Sequence, residues 1–265
     1  TIFTIPRPFA GHIGVIQRNA IQSWTRLKPA CEILLLGDDE GVAEAAREFG
    51  CTHLPRVARS DYGTPLVNDL FAQAQAQGRH ALQCYVNADI LLLSDFARAV
   101  ERVAQCGAPA VAVGHRWDFD LKEPLSFAEG WEERLRVEVL AKGVKQRDWL
   151  VDYFCFPRGV WGEIPAFAIG RTVWDNWLLY RARSAGALLV DVTPVVVAVH
   201  QNHDYGHIQH GAQGVYKGPE AVKNLELAGG EEHCFSLKDA THVLTAGGLH
   251  RALDREQFRR YLSRI

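Results

Sequence analysis

The stretch Tyr85-Val86-Asn87-Ala88-Asp89-Ile90-Leu91-Leu92-Leu93 sets two oxygen-bearing side chains, Asn87 and Asp89, inside an otherwise apolar run. Two residues apart, they share a face of a regular strand, and at a strand's end both can reach one hard divalent cation or one ribose. An isolated Asn-x-Asp also fits a plain turn, in which each side chain hydrogen-bonds the nearby backbone. The apolar flanks favour the first reading: a buried strand that ends in a small polar site, where open α/β sheets bind ligands. A cation there, with the phosphates it carries, points to nucleotide-diphosphate chemistry.

Three other constellations carry chemistry-bearing groups. Asp118-Phe119-Asp120 is a literal Asp-x-Asp pair, but its alternation with His115, Trp117 and Leu121 fits the solvated face of an antiparallel strand, and a functional role there would be toward an acceptor. His200, His203, His207 and His210 are spaced three, four and three apart, which would line one side of an unbroken helix and could bind zinc. Gly206, Gly211 and the β-branched run before His200 argue against that helix. An imidazole at the end of the Val195 to Val199 strand is the better ligand, suited to manganese as well as zinc. The other three histidines read equally as ligands or as loop polar residues that support ligands. Thr172-Val173-Trp174-Asp175-Asn176-Trp177 nearly matches a capping box, with a carboxylate three residues after a hydroxyl at a helix start. Two tryptophans and an Asn make a poor exposed first turn and a good wall for a sugar ring, where Asp175 could accept a hydroxyl proton as general base.

Several classes are disfavoured. Gly11-His12-Ile13-Gly14 lacks the third glycine and the preceding strand of a dinucleotide loop, and the chain has no P-loop, no Gly-x-Ser-x-Gly and no His-Glu-x-x-His. Twenty-nine Lys and Arg against 31 Asp and Glu give a formal charge of -2, no basic field for nucleic acid or an anionic membrane. Six scattered cysteines without a Cys-x-x-Cys pair suggest reduced thiols in a cytoplasmic protein. Thr1 to Pro6 carries no charged leader, and no run approaches transmembrane length.

The positioning elements follow from periodicity. With 265 residues, 48% hydrophobic, the chain can bury the core of one large domain or two intimately packed lobes. Ile13, Ile16, Ala20, Ile21, Trp24 and Leu27 recur at helical spacing before Pro29. A strand from Glu32 to Leu36 runs into the acidic loop Gly37-Asp38-Asp39-Glu40-Gly41 and a short helix that Gly50 can cap. Thr64-Pro65 opens the next helix, Ser94 caps another, and Ala110 to Val113 is a further apolar strand. This alternation predicts a doubly wound, mostly parallel sheet with helices on both faces. After Gly114 the pattern changes to a wet-faced strand at His115 to Leu121, an amphipathic stretch near Phe127 to Leu140, a strand at Val151 to Phe156, a helix near Thr172 to Ser184 and two strands within Leu188 to His200. Gln201 to Gly218, rich in Gly, His, Gln and Asn, reads as a loop over a site.

Tyr85 to Ile90, Phe154 to Gly159, Ile164 to Arg171, Trp174 to Trp177 and Val199 to Tyr205 together resemble the GT-A nucleotide-sugar-dependent glycosyltransferases, of the family-2-like kind, in an order spanning roughly residues 1 to 215. The resemblance implies a GT-A sheet with a smaller antiparallel acceptor-side sheet: residues 1-114 as the nucleotide-sugar-binding half, 115-218 as the acceptor and catalytic half of the same domain, and 219-265 as a C-terminal helical tail. It implies a divalent metal, Mn2+ or Mg2+, bridging the donor's phosphates. Here Asn87 stands where the family's first aspartate would be, which leaves Asp89 as the direct ligand and Asn87 holding ribose or a metal-bound water. By that pattern His200 is the imidazole ligand, with His203 as its substitute, and Asp38 or Asp39 would contact the base or ribose. Asp175 matches the general base of inverting members, and Asp152, Trp174 and Asn176 would meet acceptor or donor hydroxyls. The implied partners are a nucleotide-diphosphate sugar and a glycan, lipid-linked or small-molecule acceptor, as in polysaccharide biosynthesis, with no nucleic acid. A sugar-nucleotide pyrophosphorylase or hydrolase is the alternative enzyme, although residues 6 to 18 offer only Arg7 and Arg18 to clamp a triphosphate. A non-catalytic carbohydrate-binding protein is the third reading, suggested by seven tryptophans.

Overall fold

The structure, a computed structural model, describes residues 1–203 and 216–252, so His207 and His210 lie outside the described residues. Strands that are apolar at every position need cover on both faces, and the first half of the chain supplies it. The strands β1 (Ile2–Thr4), β2 (Ile33–Leu36), β3 (Thr52–Leu54) and β4 (Leu82–Val86) are separated by the helices α1 (Gly11–Thr25), α2 (Val42–Phe49) and α3 (Val67–Gln77). There follow β5 (Ile90–Leu91), α4 (Ser94–Ala104), β6 (Ala110–Val113), β7 (Arg116–Phe119), α5 (Trp131–Lys142), β8 (Val144–Lys145) and β9 (Tyr153–Pro157). The chain continues through α6 (Trp174–Ser184), β10 (Leu188–Asp191), β11 (Ala198–Gln201), α7 (Pro219–Ala228), β12 (His242–Thr245) and β13 (Gly248–Arg251).

Among the described residues, nine strands form one sheet in the order β13-β12-β10-β6-β9-β4-β1-β2-β3, and four form a second in the order β5-β11-β7-β8. Alternate strand residues feed two cores. Phe3, Leu34, Leu36, Tyr85, Val111, Phe154 and Phe156 pack on the side of α3 and α6. Ile2, Ile33, Leu35, Cys84, Val86, Ala112 and Cys155 pack on the side of α1, α2 and α4. Each fully buried Leu, Ile or Phe side chain contributes about 1.5–3 kcal/mol to that packing. A third cluster, including Leu91, Phe119, Leu135, Val139 and Val199, joins the small sheet to α5.

One irregularity of the large sheet positions the site. The strand β9 runs antiparallel to both β4 and β6, whereas β4, β1, β2 and β3 are mutually parallel. Its amino end therefore lies at the edge where β4 and β6 finish, and Asp152, just before it, meets Asn87, just after β4: Asn87 N donates to Asp152 O at 2.9 Å.

Several local expectations change. The helix α3 begins at Val67, after Leu66 rather than at Thr64-Pro65, because the Thr64 hydroxyl donates to Glu220 Oε2 at 2.8 Å and Pro65 and Leu66 bridge to Arg59 and Ala168. Leu93, not Ser94, is the N-cap of α4, and the Ser94 hydroxyl accepts from Arg98 Nη1 at 3.0 Å. The strand β7 is antiparallel to β8 but parallel to β11, so the small sheet is mixed. On its polar face Arg116 lines the cavity of the candidate site and Asp118 meets His200, rather than bulk water. The segment after residue 218 is not wholly helical: α7 is followed by the hairpin β12–β13, which extends the large sheet beyond β10. All six cysteines are free.

Candidate active site and metal centre

The apolar run at Tyr85–Leu93 is two strands, not one. It breaks after Val86 into a turn, closed by Ile90 N donating to Asn87 O at 3.1 Å, and resumes as β5 in the small sheet. The turn carries Asn87 and Asp89 in different directions. Asn87 faces Asp152: its amide donates to Asp152 Oδ1 at 2.6 Å and its oxygen accepts from the Tyr85 hydroxyl at 2.7 Å. Asp89 faces β11, where register sets His200 opposite Ile90 on one side and opposite Asp118 on the other.

Asp89, His200 and His203 bring one ligand atom each within 4.8 Å of one another. Asp89 Oδ2 lies 3.1 Å from His203 Nε2 and 3.8 Å from His200 Nε2. Asp89 Oδ1 is buried and accepts no hydrogen bond. Burial opposes the charge of Asp89, but the two imidazoles and Arg7 outweigh it and hold the carboxyl well below the usual carboxylate range. A buried carboxylate oxygen without a donor costs free energy, and a cation held by one carboxylate and two imidazoles would satisfy it. The donor set therefore fits a divalent metal.

The surroundings hold this triad in place. Gln201, fully buried, donates to Asp89 O at 3.1 Å and to Ile16 O at 2.8 Å, and accepts from Asn19 Nδ2 at 3.0 Å. Asp118 Oδ1 is 3.1 Å from His200 Nδ1, off the direction of a good hydrogen bond, and accepts from Arg116 Nε at 2.9 Å. Arg116 also forks onto Asp152 at 2.9 and 3.0 Å. For His200, burial lowers the imidazole pKa, but Asp89 and Asp118 prevail and raise it.

A cavity of about 630 Å3 at this sheet edge is lined by Asp89, His200 and His203 on one side and by Trp174, Asp175 and Asn176 on another, with Asn87, Arg116 and Asp152 between. Asp175 lies in the first turn of α6, and its Oδ1 accepts from Asn176 N at 2.9 Å. The expected capping box is absent: Val173 precedes the helix at φ 90°, ψ -42°, and no side chain caps it. Burial is the main cause that pushes the Asp175 carboxyl up to about 7, reinforced by the Asp152 charge and opposed by the Asn176 N–H.

The remaining expected residues divide. Asp39 lines the cavity and Asp38 does not, and Arg59 pairs with both at 3.3 and 2.9 Å. Trp174 is 5% exposed, edge-on to Tyr85 at 5.3 Å, so most of its ring belongs to the core. The Asn176 amide donates to Phe235 O at 2.8 Å, a bond that ties α6 to the segment before β12. Sequence reasoning missed Arg116, Gln201 and Glu220. The Arg116/Asp118 alternation was a visible signal for the first, whereas nothing local marks the other two.

No protein-family model matches the chain, and no curated protein matches it. Solved structures do. Glucosyl-3-phosphoglycerate synthase from Mycobacterium tuberculosis, with Mn2+, UDP-glucose and phosphoglyceric acid, is 15% identical over 87% of this chain and 80% of that one, at a TM-score of 0.50. S. aureus TarS with UDP-GlcNAc is 9% identical over 78% of this chain and 59% of that one, also at 0.50. The chain spans 58% of a mannosyltransferase from Pyrobaculum calidifontis solved with GDP-Man and Mn2+, at 14% identity over 77% of its own length and a TM-score of 0.48. The fold of this chain is the GT-A fold, a large mostly parallel sheet flanked by helices with a smaller second sheet.

Proposed function

We propose that the protein is a glycosyltransferase that moves a sugar from a nucleotide-diphosphate donor to a hydroxyl acceptor with inversion. One observation carries the reading: a single cavity holds the Asp89, His200 and His203 cluster, with its unsatisfied Asp89 Oδ1, and a carboxyl, Asp175, whose pKa of about 7 suits a general base.

Asp89, His200 and His203 would hold the metal, and two imidazoles favour Mn2+ over Mg2+. A divalent ion bound there supplies Lewis-acid stabilisation of the departing diphosphate. The Asp175 carboxylate accepts the proton of the acceptor hydroxyl as that oxygen bonds to the anomeric carbon and the bond from that carbon to the diphosphate breaks. Asp152, held by Arg116 and Asn87, stands between the two ends and would accept from donor or acceptor hydroxyls. Asp39 is the acidic residue at the cavity suited to the ribose or base.

The carbohydrate-binding alternative has less support. Trp24, Trp161, Trp174 and Trp177 are buried, and only Trp174 of these joins the exposed Trp149 at the cavity wall. Calorimetry with uridine, guanosine and cytidine diphosphates tests the reading: at least one should bind, and more tightly with Mn2+ than without. Failure of all three would sink it. Rapid turnover of a sugar nucleotide without acceptor would favour a hydrolase instead.

A further inference from the structure

The end of the cavity beside Asp175 is walled by two indole-bearing residues, Trp149 and Trp174. Trp174 belongs to the core, whereas Trp149 is 44% exposed and open to a ligand. The backbone of Trp149 is fixed where it stands. Its carbonyl accepts from the side-chain amide of Asn176, the residue after Asp175, at 3.4 Å, and Asp148 O accepts from Leu237 N at 3.0 Å. His115 engages the Asp148 carboxylate at 3.0 Å, and Val151 packs in the core. A flat side chain on an anchored segment meets a ligand with little further loss of freedom.

Among the described residues, the exposed Phe, Tyr and Trp side chains are Tyr62, Trp149 and Tyr216, and all three line this one cavity. Solvent-facing rings are gathered at the site rather than scattered over the surface. Tyr62 belongs to the Asp39 corner, since Arg59 donates to both Gly63 O and Asp39. Tyr216 precedes α7, whose Glu220 accepts from Ser60 and Thr64 on either side of Tyr62. Trp149 is tied instead to the first turn of α6. The charges at that turn disfavour an anion. Asp152 and Asp175 line the cavity there, and Arg116 is already neutralised by Asp118 and Asp152. Arg171 pairs with Glu220 at 2.8 Å, and Arg7 acts on Asp89 at the metal end.

We infer that the acceptor is a neutral saccharide, one ring of which stacks on Trp149 with its hydroxyls toward Asp175 and Asp152. A pyranose carries C–H groups on its faces and hydroxyls around its rim, the complement of a flat apolar side chain bordered by carboxyl acceptors. A phosphorylated or carboxylated acceptor would bring like charge against Asp152 and Asp175. The inference rests on the sugar-transfer reading and selects among its acceptors: Asp175 takes the proton from a hydroxyl at the rim of the stacked ring.

Saturation-transfer NMR on the full chain tests the stacking, with neutral di- and trisaccharides of glucose, galactose, mannose and N-acetylglucosamine and with their phosphorylated counterparts as probes. At least one neutral saccharide should receive saturation, most strongly at the C–H protons of one ring face, and the phosphorylated probes should not. Trp149→Ala should weaken that binding about tenfold, and Trp149→Phe, which keeps a flat ring, should restore most of it. Calorimetry should find the affinity for nucleoside diphosphate with Mn2+ equal in both variants and the wild type. Trp149 is partly exposed, and an unchanged melting temperature would verify that the variants fold. Saturation of no neutral saccharide, preference for the phosphorylated probes, or wild-type saccharide binding by Trp149→Ala overturns the inference. So does a matching loss of nucleotide affinity in Trp149→Ala, since the ring would then serve the donor. Nucleotide binding without saccharide binding would sink this inference and leave the sugar-transfer reading standing. Saccharide binding at Trp149 with failure to bind any nucleoside diphosphate would uphold the saccharide site and sink sugar transfer.

Discussion

At the scale of single residues, Asp175 carries the most chemistry. Its carboxyl stays protonated until about pH 7 because burial penalises the charge, and the Asp152 charge adds to that. A general base must begin ionised, so kcat should rise with pH through a midpoint near 7 and level off above it. The Asp175→Asn variant should lose about 10²–10⁴-fold in kcat, with nucleotide and Mn2+ affinity kept, as steady-state kinetics and calorimetry can measure side by side. The stability sign runs the other way. The unfolded chain ionises Asp175 near the ordinary carboxylate value while the folded chain does not, so folding loses stability as pH rises from there to about 7. The same variant should therefore melt higher than wild type at pH 8, and the gain should vanish in acid. A large fall in nucleotide affinity, or a pH-independent kcat, would remove Asp175 from the role of base.

At the scale of elements, the segment that leads into α6 is held by a partner far away in sequence. Val173 has a positive φ, which costs a β-branched residue on the order of 1–3 kcal/mol. Its side chain packs on the core, and Asn224 of α7 donates to Thr172 O at 3.1 Å and exchanges bonds of 2.9 and 3.0 Å with the Ala168 backbone. Asn224→Ala would leave those buried backbone groups without partners. The variant should lose about 2–4 kcal/mol in urea unfolding, and its kcat should fall more than its donor affinity, because α6 carries Asp175. These tertiary bonds also explain which features could be read from the sequence. The helix periodicity of α1, the βα unit ending at Gly50 and the polar break in the Tyr85–Leu93 run were legible because each is a local pattern. The starts of α3 and α6 were not, since Glu220 engages the hydroxyl of Thr64 and Asn224 fixes the backbone at Thr172. Asp118 read as a wet-face residue because its partner strand β11 arrives some 80 positions later, and only that register brings it to His200.

At the scale of the whole molecule, a net charge near zero conceals a concentration of charge at one sheet edge, where Asp39, Asp89, Asp152 and Asp175 share the cavity with Arg7, Arg116 and Arg171. Metal binding should couple that cavity to global stability. The Asp89 turn leads from β4 into β5 and His200 lies on β11, its neighbour in the small sheet, so the ion would tie that turn to β11 and bind the folded state far better than the unfolded one. At a hundredfold excess over Kd the stabilisation is about 2.7 kcal/mol, or roughly 5–10 °C in Tm for a domain of this size. Its pH dependence has a definite sign. Asp89 and Asp118 raise the His200 pKa, so in the metal-free protein their attraction for the imidazolium stabilises the fold at low pH and is lost as pH rises through the folded value. A metal takes the neutral imidazole, so proton and metal compete. The Mn2+-induced rise in Tm should therefore grow between about pH 6 and 8. It should be absent in Asp89→Asn and His203→Ala and preserved in Asp175→Asn. Thermal melts across that range test all three variants together. A rise that persists in Asp89→Asn would place the ion elsewhere, and the proposed donor end of the cavity would lose its metal.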